Sequence, residues 1–191
     1  MPLDCLDTTG VQWILTDYVP KCTDRFEIKA RFFSTGTQCL YCSRSTNSSK
    51  LTMTAFLINA SSFLFDRNST GAATTGFTPE MGVDYVIVDD FATRECTING
   101  TPVYTNGNAE AFTAGSPLTL FASHEAGMSL SPTTAMGNYA QYRFYSFRVY
   151  DVNGKLVRRH PARRADGNHL HRRPRAADTV RPWHFLRQNG I

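Results

Sequence analysis

From Asp24 to Phe33 apolar and charged positions alternate without a break. Phe26, Ile28, Ala30 and Phe32 fall on one side; Arg25, Glu27, Lys29 and Arg31 fall on the other. That period of two is the signature of an antiparallel strand with its charged face in water. A second run, Tyr139–Tyr150, is denser in aromatic and β-branched residues and holds no Gly or Pro. Strict alternation places Tyr145, Phe147 and Val149 on one side of it, and Phe144, Ser146, Arg148 and Tyr150 on the other. Both sides are apolar enough to predict a strand wet on neither face, in the middle of a layered β structure. Asp151-Val152-Asn153-Gly154 ends the run and Lys155-Leu156-Val157 opens the next strand. Asn-Gly tolerates positive φ at both central positions, which predicts a tight hairpin.

The same reading along the chain predicts strands over Val11–Thr16, Gln38–Ser43, Leu51–Ile58, Phe63–Asp66, Gly82–Val88, Arg94–Ile98, Thr101–Tyr104 and Pro117–Ala122. Asn99-Gly100 is a second hairpin signal. Asn68–Thr78 and Ser123–Gly137 read as long polar loops. About ten strands, Gly- and Ser-rich connections and no long helix predict an all-β fold. Its form is a two-sheet antiparallel β-sandwich of Greek-key or jelly-roll type.

Charge changes the picture near the C-terminus. Residues 158–191 hold nine Arg and two Asp, a charge of +7, in a chain whose formal total is +4, so residues 1–157 sum to −3. A body near neutrality argues against a nucleic-acid surface. Cysteines stand at 5, 22, 39, 42 and 96. Five cannot all pair within one chain, and their spacing is not that of a zinc framework. On a regular strand the sulfurs of Cys39 and Cys42 point to opposite faces, which predicts free thiols rather than a redox pair. The N-terminal MPLDCLDTTG has neither basic start nor apolar core, so no secretory signal is expected, and no apolar stretch reaches membrane-spanning length. Location stays open: extracellular, cell-surface or virion if the chain belongs to a larger exported protein or particle.

The order of several short motifs carries a resemblance. Tyr145-Ser146-Phe147-Arg148-Val149-Tyr150-Asp151 with Asn153-Gly154-Lys155-Leu156-Val157-Arg158 is similar to the final-strand pattern of bacterial and phage concanavalin A-like domains of the laminin-G/pentraxin type. Thr16–Pro20, Asp24–Phe33, Asp90–Thr93 with Thr97–Gly100, and Pro117–Ser123 fit the same order. The resemblance covers roughly residues 10–158 and implies one jelly-roll domain there. Residues 159–191 are then an Arg/His/Pro-rich tail that departs from the pattern. Like-charge blocks stay solvated, so a disordered or non-native tail is expected, with a basic arm for an anionic partner as the alternative. The departure leaves a question: what covers the sheet edge that a further strand would pair.

Domains of this kind serve as glycan- or protein-binding modules, and some relatives are glycosidases. The hydrolases set their carboxylates on one strand as Glu-x-Asp-x-x-Glu, a pattern missing here, so no enzyme and no catalytic residue is expected. For binding, Tyr142, Phe144, Arg148 and Tyr150 supply rings and polar donors on one side of the Tyr139–Tyr150 strand. The competing reading makes that side a second layer of core. Some relatives hold Ca²⁺ with loop aspartates, which implies Asp66, Asp89 and Asp90 as ligands; solvated turn residues are the simpler reading of all three, and no other cofactor is implied. Trp13 is expected in the core. His124 has no His or Cys neighbour, and the sequons at Asn47, Asn59, Asn68 and Asn99 read as polar loop residues. The expected partner is a polysaccharide or cell-surface glycan, with a protein partner in a phage particle or surface assembly as the alternative.

Overall fold

A computed structural model describes residues 5–8, 13–34, 36–44, 53–58, 62–67, 73–105, 111, 114, 116–123 and 141–161. The expectations for Ser45–Lys50, His124–Gly137 and the tail from 162 onward lie outside them. Among the described residues the chain is all β. The strands are β1 (Leu6–Asp7), β2 (Ile14–Leu15), β3 (Arg25–Phe32), β4 (Gln38–Ser43), β5 (Met53–Ile58), β6 (Ser62–Arg67) and β7 (Ala73–Thr74). They continue with β8 (Asp84–Asp90), β9 (Glu95–Ile98), β10 (Thr101–Thr105), β11 (Thr119–Leu120), β12 (Tyr142–Tyr150) and β13 (Leu156–Pro161). A seven-stranded sheet runs β1-β12-β3-β8-β9-β10 with β13 also on β12, and a six-stranded sheet runs β2-β11-β4-β5-β6-β7. Every pairing is antiparallel. This is the jelly-roll sandwich that the alternation predicts. No described helix is long and apolar enough to cross a membrane.

The alternating strand does what its pattern requires. Phe26, Ile28, Ala30 and Phe32 of β3 are buried, while Arg25, Glu27, Lys29 and Arg31 face away from the core. Phe26 meets Tyr41 of the other sheet edge-on at 5.0 Å, Phe91 at 4.9 Å and Phe147 at 5.2 Å. Phe32 packs on Phe63 at 5.5 Å and Tyr142 at 5.7 Å. Such edge-on ring pairs contribute about 0.5–1.5 kcal/mol each beyond the area they bury. Phe121 sits in the left-handed region (φ 74), unusual for a bulky residue. Its ring is held edge-on by Tyr142 at 5.3 Å and Phe144 at 5.0 Å, so the packing fixes a backbone state that the residue alone disfavours.

Three sequence expectations fail, two of them because a strand carries an extra residue and one because a turn is wider than its Asn-Gly suggests. In β12, Phe144 pairs with Ala30 and Ser146 with Lys29, so Tyr145 is an extra residue in a β-bulge. The bulge resets the parity: Tyr142, Phe144, Phe147 and Val149 are all buried, and Tyr145 lies on the other side with Arg143, Arg148 and Tyr150. That outer side is half-exposed, not a second apolar face. In β4, Cys39 pairs with Phe56 and Tyr41 with Ala55, which makes Leu40 the extra residue. Leu40 and Tyr41 both belong to the core cluster, and Cys39 and Cys42 come to the same side instead of diverging, as buried free thiols, with Cys39 Sγ donating to the Tyr41 carbonyl at 3.3 Å. Burial, then the neighbouring Cys42 thiol, pushes the Cys39 thiol well up, so it stays protonated. In the β12–β13 turn only Gly154 has positive φ (74), and the loop is wider than a two-residue hairpin. Asp151 organises it: its carbonyl accepts Gly154 N–H at 2.9 Å, and its Oδ1 accepts Asn153 N–H at 2.9 Å and Lys155 N–H at 3.0 Å.

The β9–β10 hairpin is the tight one. Asn99 and Gly100 both have positive φ (50 and 78), and Asn99 also carries on the β8 ladder by exchanging two 2.8 Å bonds with Val86. A Cβ on Gly100 meets nothing within 4 Å. Gly100→Ala should therefore lower stability through backbone strain alone, by about 1–2 kcal/mol; a urea melt showing no loss would contradict the turn geometry.

The edge of β12 is closed from both chain ends. Leu6 and Asp7 pair with Phe144 and Arg143, and β13 takes over from Ser146 to Tyr150. The sheet thus reaches past 10–158 in both directions.

Candidate functional site

The parity of β3, β8 and β12 lays a grid of side chains on the outer face of the seven-stranded sheet. Across the strands, Arg143, Arg31 and Asp84 form one row. Ser146, Lys29 and Val86 form the next, then Arg148, Glu27 and Val88, then Tyr150, Arg25 and Asp90. Cross-strand neighbours this close interact pairwise, and like charges directly opposite are unfavourable. Arg143 and Arg31 are such a pair, and the fold separates their demands. Arg143 makes a bidentate pair with Asp7 of β1 (2.7 and 2.8 Å), and Arg31 Nε donates to Asp84 Oδ1 at 2.7 Å. The Arg143 bond holds the Asp7 carboxyl below its ordinary range, and the Arg31 bond does the same for Asp84. Arg148 pairs with Glu27 at 2.6 Å.

The bulge adds Tyr145 to this grid. Its hydroxyl donates to Asp84 Oδ1 at 2.7 Å, so one carboxylate oxygen orients both Arg31 and Tyr145. Partial burial, then the anion beside it, pushes the Tyr145 phenol up, which keeps it a neutral donor. The two remaining cations lean on rings: Lys29 Nζ lies 5.1 Å from the Tyr145 centroid, and the Arg25 guanidinium lies 4.4 Å from the Tyr150 centroid. The face is therefore a pre-organised array of guanidinium, ammonium, phenol and carboxylate groups. It can hydrogen-bond a polyhydroxylated or charged ligand over several rows.

The predicted binding residues divide. Arg148 and Tyr150 stand on this face together. Tyr142 and Phe144 do not: they are 0% and 1% exposed, packed in the core on the opposite side, because the bulge shifts their parity. Trp13 is buried, as expected. Sequence alternation turns Arg25 and Lys29 outward but offers no reason to join them to Tyr150, and it places Tyr145 on the core side, which the bulge reverses.

The three aspartates implied as calcium ligands lie on strands of two different sheets. Asp66 lies on β6 of the six-stranded sheet, opposite Thr54. Asp89 and Asp90 are adjacent on β8 of the other sheet. Asp89 turns inward at 1% exposure, where it accepts bonds from the Tyr41 hydroxyl and from Cys96 Sγ at 3.0 Å. Asp90 turns outward and caps the following turn through Ala92 N–H (3.0 Å) and Thr93 N–H (3.1 Å). Among the described residues no group of three His, Cys, Asp or Glu side chains is placed to hold a metal ion.

No family model matches the sequence, and no curated protein matches it. Solved structures do. A SAP-like pentraxin from Limulus polyphemus superposes with a TM-score of 0.54 at 10% identity, over 77% of this chain and 71% of that one. The CBM40 of the Ruminococcus gnavus IT-sialidase gives 0.54 at 13% identity, over 78% and 90%. Domains LG4-5 of the mouse laminin alpha1 chain give 0.53 at 15% identity, over 81% of this chain and 43% of that pair. Sheet order, burial and these superpositions agree: the chain has the concanavalin A-like jelly-roll fold of pentraxin and laminin-G domains.

Proposed function

We propose that this chain is a non-catalytic recognition module that binds a polysaccharide or cell-surface glycan on the outer face of its seven-stranded sheet. Arg148 and Tyr150 are its central contacts, flanked by Arg25, Lys29 and Tyr145. The observation that carries the reading is the ordered grid itself: two half-exposed tyrosines, each beside a cation, on a rigid sheet where neighbouring ion pairs fix the side chains before a ligand arrives. A module of the same fold, the Ruminococcus gnavus CBM40, has been solved with sialyllactose bound. Because Arg25 shares the ring of Tyr150, hydrogen bonding and charge do more of the work than open-face stacking. Asp7, Glu27 and Asp84 are each tied to an arginine, which favours binding over hydrolysis, where one carboxyl must give or take a proton.

Glycan-array retention tests this. Wild type should hold a subset of glycans, and Arg148→Ala and Tyr150→Ala should each cut retention about tenfold or more while leaving the fold intact by circular dichroism. Retention unchanged in both variants would move the site elsewhere. No retention at all, with tight self-association or capture into a particle, would favour the structural or adhesive role instead.

A further inference from the structure

The margin of the sandwich beside β13 is closed by a histidine. Two of this edge strand's side chains pair across β12 with core residues: Arg158 opposite Val149, and His160 opposite Phe147. Arg158 reaches the other sheet's border, 5.6 Å from the Tyr18 ring centroid and 3.8 Å from Asp17. His160 is 6% exposed, its ring nearly parallel to Phe147 at 6.1 Å and 23°. Leu156, Arg158 and Arg159 are exposed and Val157 is half-buried, so His160 is the most deeply buried side chain described on β13. β13 is bonded on one side to β12, and beside half-buried Val157 its inward anchor is one titratable ring, which makes this edge a natural point of opening.

We propose that β13 is a proton-operated margin: charging His160 releases the strand from β12. Among the described residues, the charged groups acting on His160 are Asp17, from the segment after β2, which favours the imidazolium, and Arg158, from its own strand, which opposes it. Burial outweighs both and lowers the ring from its ordinary 6.5 to about 4. The sign follows: His160 is neutral when folded, its full contribution is present above pH 6.5, and it is lost as the pH falls toward 4.

Hydrogen exchange read by mass spectrometry, corrected for intrinsic rates, tests the margin. Between pH 7.5 and pH 5 the opening of residues 156–161 should rise roughly thirty-fold, as linkage to one such group requires. Residues 25–32 should change far less. His160→Phe, which cannot titrate, should remove the acid response. An equal response in His160→Phe, or residues 25–32 opening in step with 156–161, would overturn the proposal. Should that variant fail to fold, the wild-type ring decides: an NMR titration midpoint well below 6.5 supports the margin, and one near 6.5 ends it.

Discussion

Phe147→Ala should remove about 3–5 kcal/mol of stability, as large aromatic-to-alanine changes in a packed interior do. Phe147 is 0% exposed and touches rings on three sides: Phe26, Tyr41 and His160. It joins the two sheets at the centre of the sandwich and also supports the β13 margin, so little can collapse into the space it leaves. Tyr145→Ala is the informative partner, because strict alternation makes 145 and 147 equivalent core positions. The bulge makes them opposites, and a surface tyrosine with one hydrogen bond to Asp84 should cost about 1 kcal/mol or less. Urea melts of the two variants measure both. Equal losses would mean that β12 runs without its extra residue.

The second large effect concerns the buried carboxylate. Asp89 sits between the sheets, and the Tyr41 hydroxyl reaches across from the opposite sheet to donate to it. A buried acceptor that loses a donor bears its desolvation cost uncompensated, so Tyr41→Phe should destabilise by about 1–3 kcal/mol although only one oxygen is removed. Asp89→Asn tests the same contact from the other end, and a double-mutant cycle should show a coupling of about 1–3 kcal/mol between the positions. Additive losses would show that hydroxyl and carboxylate do not depend on each other. The Tyr41 bond ties Asp89 of one sheet to the other, which explains an inward carboxyl at a place where the sequence predicts a solvated turn.

Most of the architecture was legible because it rests on period-two burial, which β3 writes without interruption. The Asn99-Gly100 turn was legible because its two positive φ angles demand those residues. What the alternation could not show was where it slips. A bulge is decided by how a strand fits its neighbours, and neither Tyr145 nor Leu40 carries a local mark of being the extra residue. That one slip explains why half the predicted binding residues, Tyr142 and Phe144, belong to the core. The other half, Arg148 and Tyr150, kept their side because they lie beyond the slip. The short strands β1 and β7 were hidden for a related reason: two residues carry no period, and they exist because longer neighbours offer unpaired backbone.

The extra residue in β12 has a consequence for how such a surface changes over generations. With position 145 deleted, Phe144 and Ser146 would follow each other opposite Ala30 and Lys29, the partners they already have, and every flanking side chain would keep its side. A codon gained or lost at this point therefore adds or removes a phenol on the outside while the interior is left alone. Lineages can lengthen the chain here without rebuilding it, and the outer face is where such trials would be felt.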